Sequence, residues 1–149
     1  SALVYMKLLG LNQYDPGALG ENVTLDDLDE SQISVGDIFE FGEVVAQASY
    51  PRIPCSKLNI RMQHPEGQKL MQQSGRSGIY FRILKPGKIY KTDSVRRTEL
   101  AKYRFLISDL YQKTVNGIRL NKNEIELALK NGAFPQKAIE KMMVILNQS

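Results

Sequence analysis

The sequence predicts a mixed fold, mainly β with α: strands up to about residue 97, then three helices to the end. Three observations carry this. Short β-like runs between residues 33 and 97 are punctuated by Gly and Pro turns. From Thr98 onward, apolar residues recur every three to four positions. Helix start and stop signals then follow: Asn121 with Glu124 three residues on, Gly132, and Pro135 at the next onset. A chain of 149 residues fits one compact domain, or a domain with a small appendage. We divide it into residues 1–97 and 98–149.

Each element has its own signal. The apolar opening LVYMKLLGL fits strand or helix, since periodicity does not choose. Asp15-Pro16-Gly17 is a break. NVTLDDL reads as a short strand entering an acidic loop. SQISVGDIFEFGEVVAQASY holds two strands, with tight turns at Val35-Gly36-Asp37 and Phe41-Gly42-Glu43. Pro51 and Pro54 end the second. Ser56 is placed to cap a helix of about two turns. A further helix is expected from Glu66 to Gln73, stopped by Ser74-Gly75. GIYFRIL alternates as a strand, KPGKIY turns into another, and DSVRRTEL adds one more. In the tail, Leu100, Tyr103, Leu106, Ile107, Leu110 and Tyr111 form one helical stripe. Ile139, Met142, Met143 and Leu146 form another.

Composition narrows the function classes. No apolar run reaches the roughly 18 residues of a membrane span. No secretory signal is visible, and the chain opens on Ser1, as a processed product or excised fragment does. One cysteine forms no internal disulfide, which fits a cytoplasmic, reducing setting. One histidine and no Cys-x-x-Cys pair build no zinc site, so any metal is delivered mostly by something other than side chains. Charge is unevenly spread. Residues 1–50 carry one cation against nine acids, and residues 51–104 carry thirteen against three. Such asymmetry means self-complementation or an anion site.

Three short stretches stand out: Gly20-Glu21-Asn22, Pro51-Arg52-Ile53-Pro54-Cys55-Ser56-Lys57-Leu58, and Ser74-Gly75-Arg76-Ser77-Gly78-Ile79-Tyr80-Phe81-Arg82. Alone, each has an ordinary explanation. The glycines serve turns, Arg82 pairs with an acid, and a lone cysteine is more often inert and buried. Together they describe a thiol at the onset of a helix, with Arg52 and Lys57 favouring its thiolate. Arg76, among glycines and serines, is suited to an anion.

GALGENVTLDDLDESQISVGDIFEFGEVVAQASYPRIPCSKLNIRM followed by SGRSGIYFRILKPGKIYKTD resembles the MOSC domain family, named for the C-terminal domain of molybdenum-cofactor sulfurases. The likeness covers about residues 17–93 and is nearest to small bacterial members of the YiiM type, which carry a three-helix tail. It implies a β-barrel-like domain, here shortened at its N-terminus, and a pocket for the pterin molybdenum cofactor. Cys55 matches the family cysteine that ligates molybdenum or carries sulfur. Asn22, Arg52, Lys57, Arg76 and Arg82 fall in matching motifs as candidate cofactor contacts. The activity implied is reduction of N-hydroxylated bases, with an electron-transfer reductase as partner. Two rivals stand beside it. One is a sulfur carrier with a persulfide on Cys55. The other is a non-catalytic basic module for nucleic acid, disfavoured because aromatics do not interleave the cations. The tail reads as a packing or partner element, its stripes explained by core burial, and a homodimer is a separate expectation.

Overall fold

The computed structural model describes residues 15, 17–25, 28–76 and 78–148. The opening LVYMKLLGL lies outside them. Strands β1 (Ile38–Phe41), β2 (Val44–Pro51), β3 (Ile79–Lys85) and β4 (Val95–Glu99) form one antiparallel sheet in the order β3-β2-β1-β4. Both tight turns form, with Gly36 at φ +95° and Gly42 at φ +56°. Glycine is favoured there because a Cβ is strained at positive φ. Phe41 pairs with Val44, so the β1–β2 hairpin closes over Gly42-Glu43. Among the described residues the sheet stays open and is not closed into a barrel. No strand forms at 22–25 or 86–91. Residues 86–91 are instead tied to the hairpin: Lys88 N–H donates to Glu43 Oε2 (3.0 Å), and Glu43 N–H donates to the Lys88 carbonyl (3.2 Å).

Phe39, Phe41, Val44, Ala46 and Ala48 bury one face of the sheet, as the two-residue period of a strand requires. Phe81 of β3 meets Phe39 and Phe41 edge-on, with ring centroids 5.5 and 5.3 Å apart. Onto this face pack three helices of the tail, α3 (Ile107–Val115), α4 (Lys122–Asn131) and α5 (Gln136–Asn147). They contribute Ile107, Leu110, Ile125, Ala128 and Met142, with Ala133 and Phe134 from the α4–α5 link. Asn121 and Glu124 close the expected capping box, and Gly132 ends α4 at φ +74°.

The first tail helix starts later than its apolar stripe suggests. It begins at Ile107, β4 runs to Glu99, and Leu100 is exposed. Backbone pairing overrides periodicity here. Val35 N–H donates to the Phe105 carbonyl and Ile107 N–H to the Ile33 carbonyl, each at 2.8 Å, around a bridge between Ser34 and Leu106. Phe105 and Leu106 are thereby held beside residues 33–35, with Leu106 extended, and the helix cannot begin before Ile107.

Two short helices, α1 (Lys57–Arg61) and α2 (Gly67–Ser74), lie between β2 and β3. Gly75, at φ +68°, ends α2 as expected. Leu58 and Met71 bury against Leu19 from the Gly17–Gly20 turn, with Met62 alongside. This small cluster holds the turn against α1 and α2, beyond the end of β2.

Candidate functional site

Pro51 ends β2, and residues 52–55 run without regular structure into α1. Cys55 is exposed, and its carbonyl accepts the Leu58 N–H at 2.9 Å. Ser56 occupies the N-cap position without a side-chain cap bond. The neighbouring Pro54 is buried, and its carbonyl accepts from Gln68 Nε2 of α2 at 3.2 Å. The backbone around the thiol is therefore anchored while the thiol side faces solvent.

Arg52 joins the three stretches. Its N–H donates to the Gly78 carbonyl at 3.0 Å, continuing the β2–β3 ladder one step past Pro51 and Ile79. Its guanidinium reaches the Gly17–Gly20 turn: a Cβ on Gly20 would sit 3.4 Å from Arg52 Nη2. Gly20, at φ +82°, permits both this backbone conformation and this close approach. Gly20, the Arg52–Cys55 segment and Gly78 thus meet at one end of the sheet.

The third stretch is ordered by its serine and by the acidic segment before β1. Ser74 Oγ accepts the Arg76 N–H at 3.1 Å and donates to the Met71 carbonyl at 2.7 Å. Gly78 N–H donates to Glu30 Oε2 at 3.2 Å. The Asp29 carboxyl is held below its ordinary value, first by hydrogen bonds from the Ser31 hydroxyl and N–H, and further by the Arg76 charge. Part of the charge asymmetry is therefore self-complementation, as electrostatics favours.

The candidates do not all behave alike. Asn22, two residues past the Gly17–Gly20 turn, and Lys57, the first residue of α1, are exposed. Arg82 lies mid-strand opposite Gln47, and its Nη2 donates to the Ala133 and Phe134 carbonyls at 3.4 and 3.3 Å. Four residues of extended chain, about 13 Å, separate it from Gly78. Its side chain is engaged in tying β3 to the helical tail. Among the described residues, none of Arg52, Lys57, Arg61, Arg76 and Arg82 forms an ion pair. No group of three metal-ligating side chains occurs among them either. Two clefts lie elsewhere. One, of about 300 Å³, is lined by Glu40, Asp93 and Arg96, and another, of about 430 Å³, by Phe105, Leu110, Leu120 and Leu127.

Two further residues of this region take part that are not among the candidates named from the sequence. Arg61 Nε and Nη2 both donate to the Gly17 carbonyl, at 3.0 and 2.7 Å. Glu21 accepts from Gly17 N–H at 2.7 Å, Leu19 N–H at 3.0 Å and the Thr24 hydroxyl at 3.0 Å. A carboxylate just after a Gly-x-x-Gly turn was the available signal for Glu21. Arg61, 44 residues from Gly17, gave none.

The MOSC domain family model matches residues 4–96, the stretch that carries all three motifs. The chain belongs to the MOSC domain family. Among MOSC relatives, a protein named "Reductase" from Gibberella moniliformis is 39% identical over 87 residues, 58% of this chain and 16% of that protein. Protein YiiM of Escherichia coli K12 is 43% identical over 72 residues, 48% of this chain and 32% of that protein. The matched segments thus span a third or less of these relatives. The crystal structure of YiiM from Geobacillus stearothermophilus superposes on this MOSC chain with a TM-score of 0.84 at 30% identity, covering 95% of this chain and 72% of that one. YiiM from E. coli gives 0.71 at 26% identity, covering 83% and 61%. Among the described residues, no helix is long and apolar enough to cross a membrane.

Proposed function

We propose that this MOSC chain binds the pterin molybdenum cofactor through Cys55 and serves in the reduction of N-hydroxylated bases or related N-oxygenated compounds. One observation supports the reading above others. The Gly20 turn, the Arg52–Cys55 segment and Gly78, far apart in sequence, converge through the Arg52 N–H bond to Gly78 and the Arg52 approach to Gly20. The donor set fits the group. A single exposed thiol, with no cluster of His, Cys, Asp or Glu among the described residues, suits a metal that arrives already held by an organic cofactor. Arg52, Lys57 and Arg76, free of ion pairs among the described residues, suit its anionic portion. When bound, the cofactor supplies the two-electron chemistry that takes oxygen from nitrogen.

The chain's own contribution is ligation and placement. Cys55 offers its sulfur from a backbone fixed by Leu58 and by the Pro54–Gln68 bond. Arg52 holds positive charge beside the Gly20 turn, and Gly20 keeps that approach open. An electron-transfer reductase completes the cycle, and a relative named "Reductase" is in keeping with that class of reaction. The exposure of Cys55 also favours a second reading, a persulfide carrier, because an accessible thiol is what sulfur transfer needs. The test is the molybdenum and pterin content of protein made in a cofactor-competent host, with intact-mass analysis of the Cys55 peptide. Stoichiometric metal and pterin, lost in Cys55→Ser, supports the reductase. Cofactor-free protein carrying one extra sulfur on Cys55 replaces it with the carrier.

A further inference from the structure

We infer that Arg61 is a positioning residue: it clamps the Gly17–Gly20 turn so that Arg52 projects its charge over the Cys55 segment. The inference rests on Cys55 being the reacting group. Arg61 spends two of its donors on one backbone oxygen, Gly17 O, at 3.0 and 2.7 Å. A guanidinium committed in this way acts as a bracket, using the fixed fork that a lysine lacks. Glu21 holds the same turn from inside, through the Gly17 and Leu19 N–H groups. The enclosed glycine is the one Arg52 touches: a Cβ on Gly20 would lie 3.4 Å from Arg52 Nη2 and 3.6 Å from Arg61 Cδ and Nε. Two cations thus share one glycine, and neither is in an ion pair among the described residues. Like charges so placed repel in water and stay together only where bonds hold them. Arg61 is bonded to the turn, and Arg52 lies beside it against the same glycine. Loosening the bracket frees the Arg52 guanidinium from the turn while leaving its backbone in the ladder.

Arg52 and Cys55 are three residues apart, at most about 10 Å along the chain. For a guanidinium about 10 Å from the thiol, the unit charge would favour approach of a dianion by about threefold at 10 mM salt, and by little at 0.5 M. The experiment uses the whole chain without added cofactor. It compares the rate of Cys55 with the dianionic 5,5′-dithiobis(2-nitrobenzoate) and with the neutral 4,4′-dithiodipyridine. The ratio of the two rates should fall about threefold in Arg52→Gln. Arg61→Lys, which keeps the charge but not the fork, should lower it nearly as far. Glu21→Ala should also lower it, although removal of an anion by charge alone raises it. Thermal melts identify any variant in which both rates change together through loss of fold. An unchanged ratio in Arg61→Lys, in folded protein, overturns the inference, as does a ratio at or above wild type in Glu21→Ala. Cofactor content of the wild-type chain is read separately, so a failed bracket and a failed cofactor assignment give different results.

Discussion

Asp37→Ala tests the junction between the sheet and the tail. The Asp37 side chain is fully buried. Its Oδ2 accepts Ser34 N–H at 3.0 Å and Arg97 Nη1 at 3.2 Å, and its Oδ1 accepts Ala101 N–H at 2.8 Å. Alanine orphans two N–H groups, at about 1–3 kcal/mol each, and leaves Arg97 without its carboxylate. Arg97 keeps about a third of its side chain exposed and can turn to water, so the guanidinium adds little. The sum is about 2–6 kcal/mol. For a chain of this size that is a drop in melting temperature of roughly 5–20 °C. Denaturant unfolding followed by far-UV circular dichroism, with the slope checked against wild type, measures it. Asp37→Asn, which keeps one acceptor oxygen, should lose less. A loss below about 1 kcal/mol in Asp37→Ala would refute the idea that this carboxylate holds the junction.

Four further outcomes are expected. Cys55→Ser, at an exposed position, should change unfolding free energy by less than about 0.5 kcal/mol, measured by denaturant titration. Gly20→Ala, at φ +82°, should cost about 1–2 kcal/mol and lower the anionic-reagent preference of Cys55, since its Cβ meets Arg52. The Glu124 carboxyl is held below its ordinary 4.5 by Lys113 and by the Asn121 N–H. Its lowered value gives stability that is present above pH 4.5 and lost as pH falls through that lowered value, so Glu124→Gln should flatten the acid limb of a stability–pH curve. Burial, helped by the Glu30 charge, pushes the Tyr111 hydroxyl up to about 12. Stability should therefore fall between about pH 10 and 12, and Tyr111→Phe should remove that decline in alkaline melts.

Local signals carried much of the fold. The hairpin glycines, the prolines ending β2, the capping box at Asn121 and the glycine after α4 each act within a few residues, so they are written in short stretches. The start of α3 was not legible, because residues 105–107 obey a partner some seventy positions away and not their own periodicity. The candidate site divides in the same way. Cys55, Arg52 and Gly78 were singled out by unusual residue types beside turns, and Arg52 proved to join them. Arg82 looked equivalent on a strand, yet its side chain reaches the helical link. Arg61 carries no local signal, and only the fold brings it to Gly17. Open sheet edges were likewise invisible, since strand number is a matter of pairing and not of any single run.

The link between α4 and α5 is gripped from two strands. Ser49 of β2 donates its hydroxyl to the Ala133 carbonyl at 2.9 Å, and Arg82 of β3 donates to Ala133 and Phe134. Phe134 is itself wedged between Tyr50 and Phe105. The strand that delivers Cys55 therefore borrows its stiffness from the last fifth of the chain. Amide exchange at Ala48 to Tyr50 should track the opening of α4 and α5, so that a cut in the link would slacken the cysteine end without touching any residue near it.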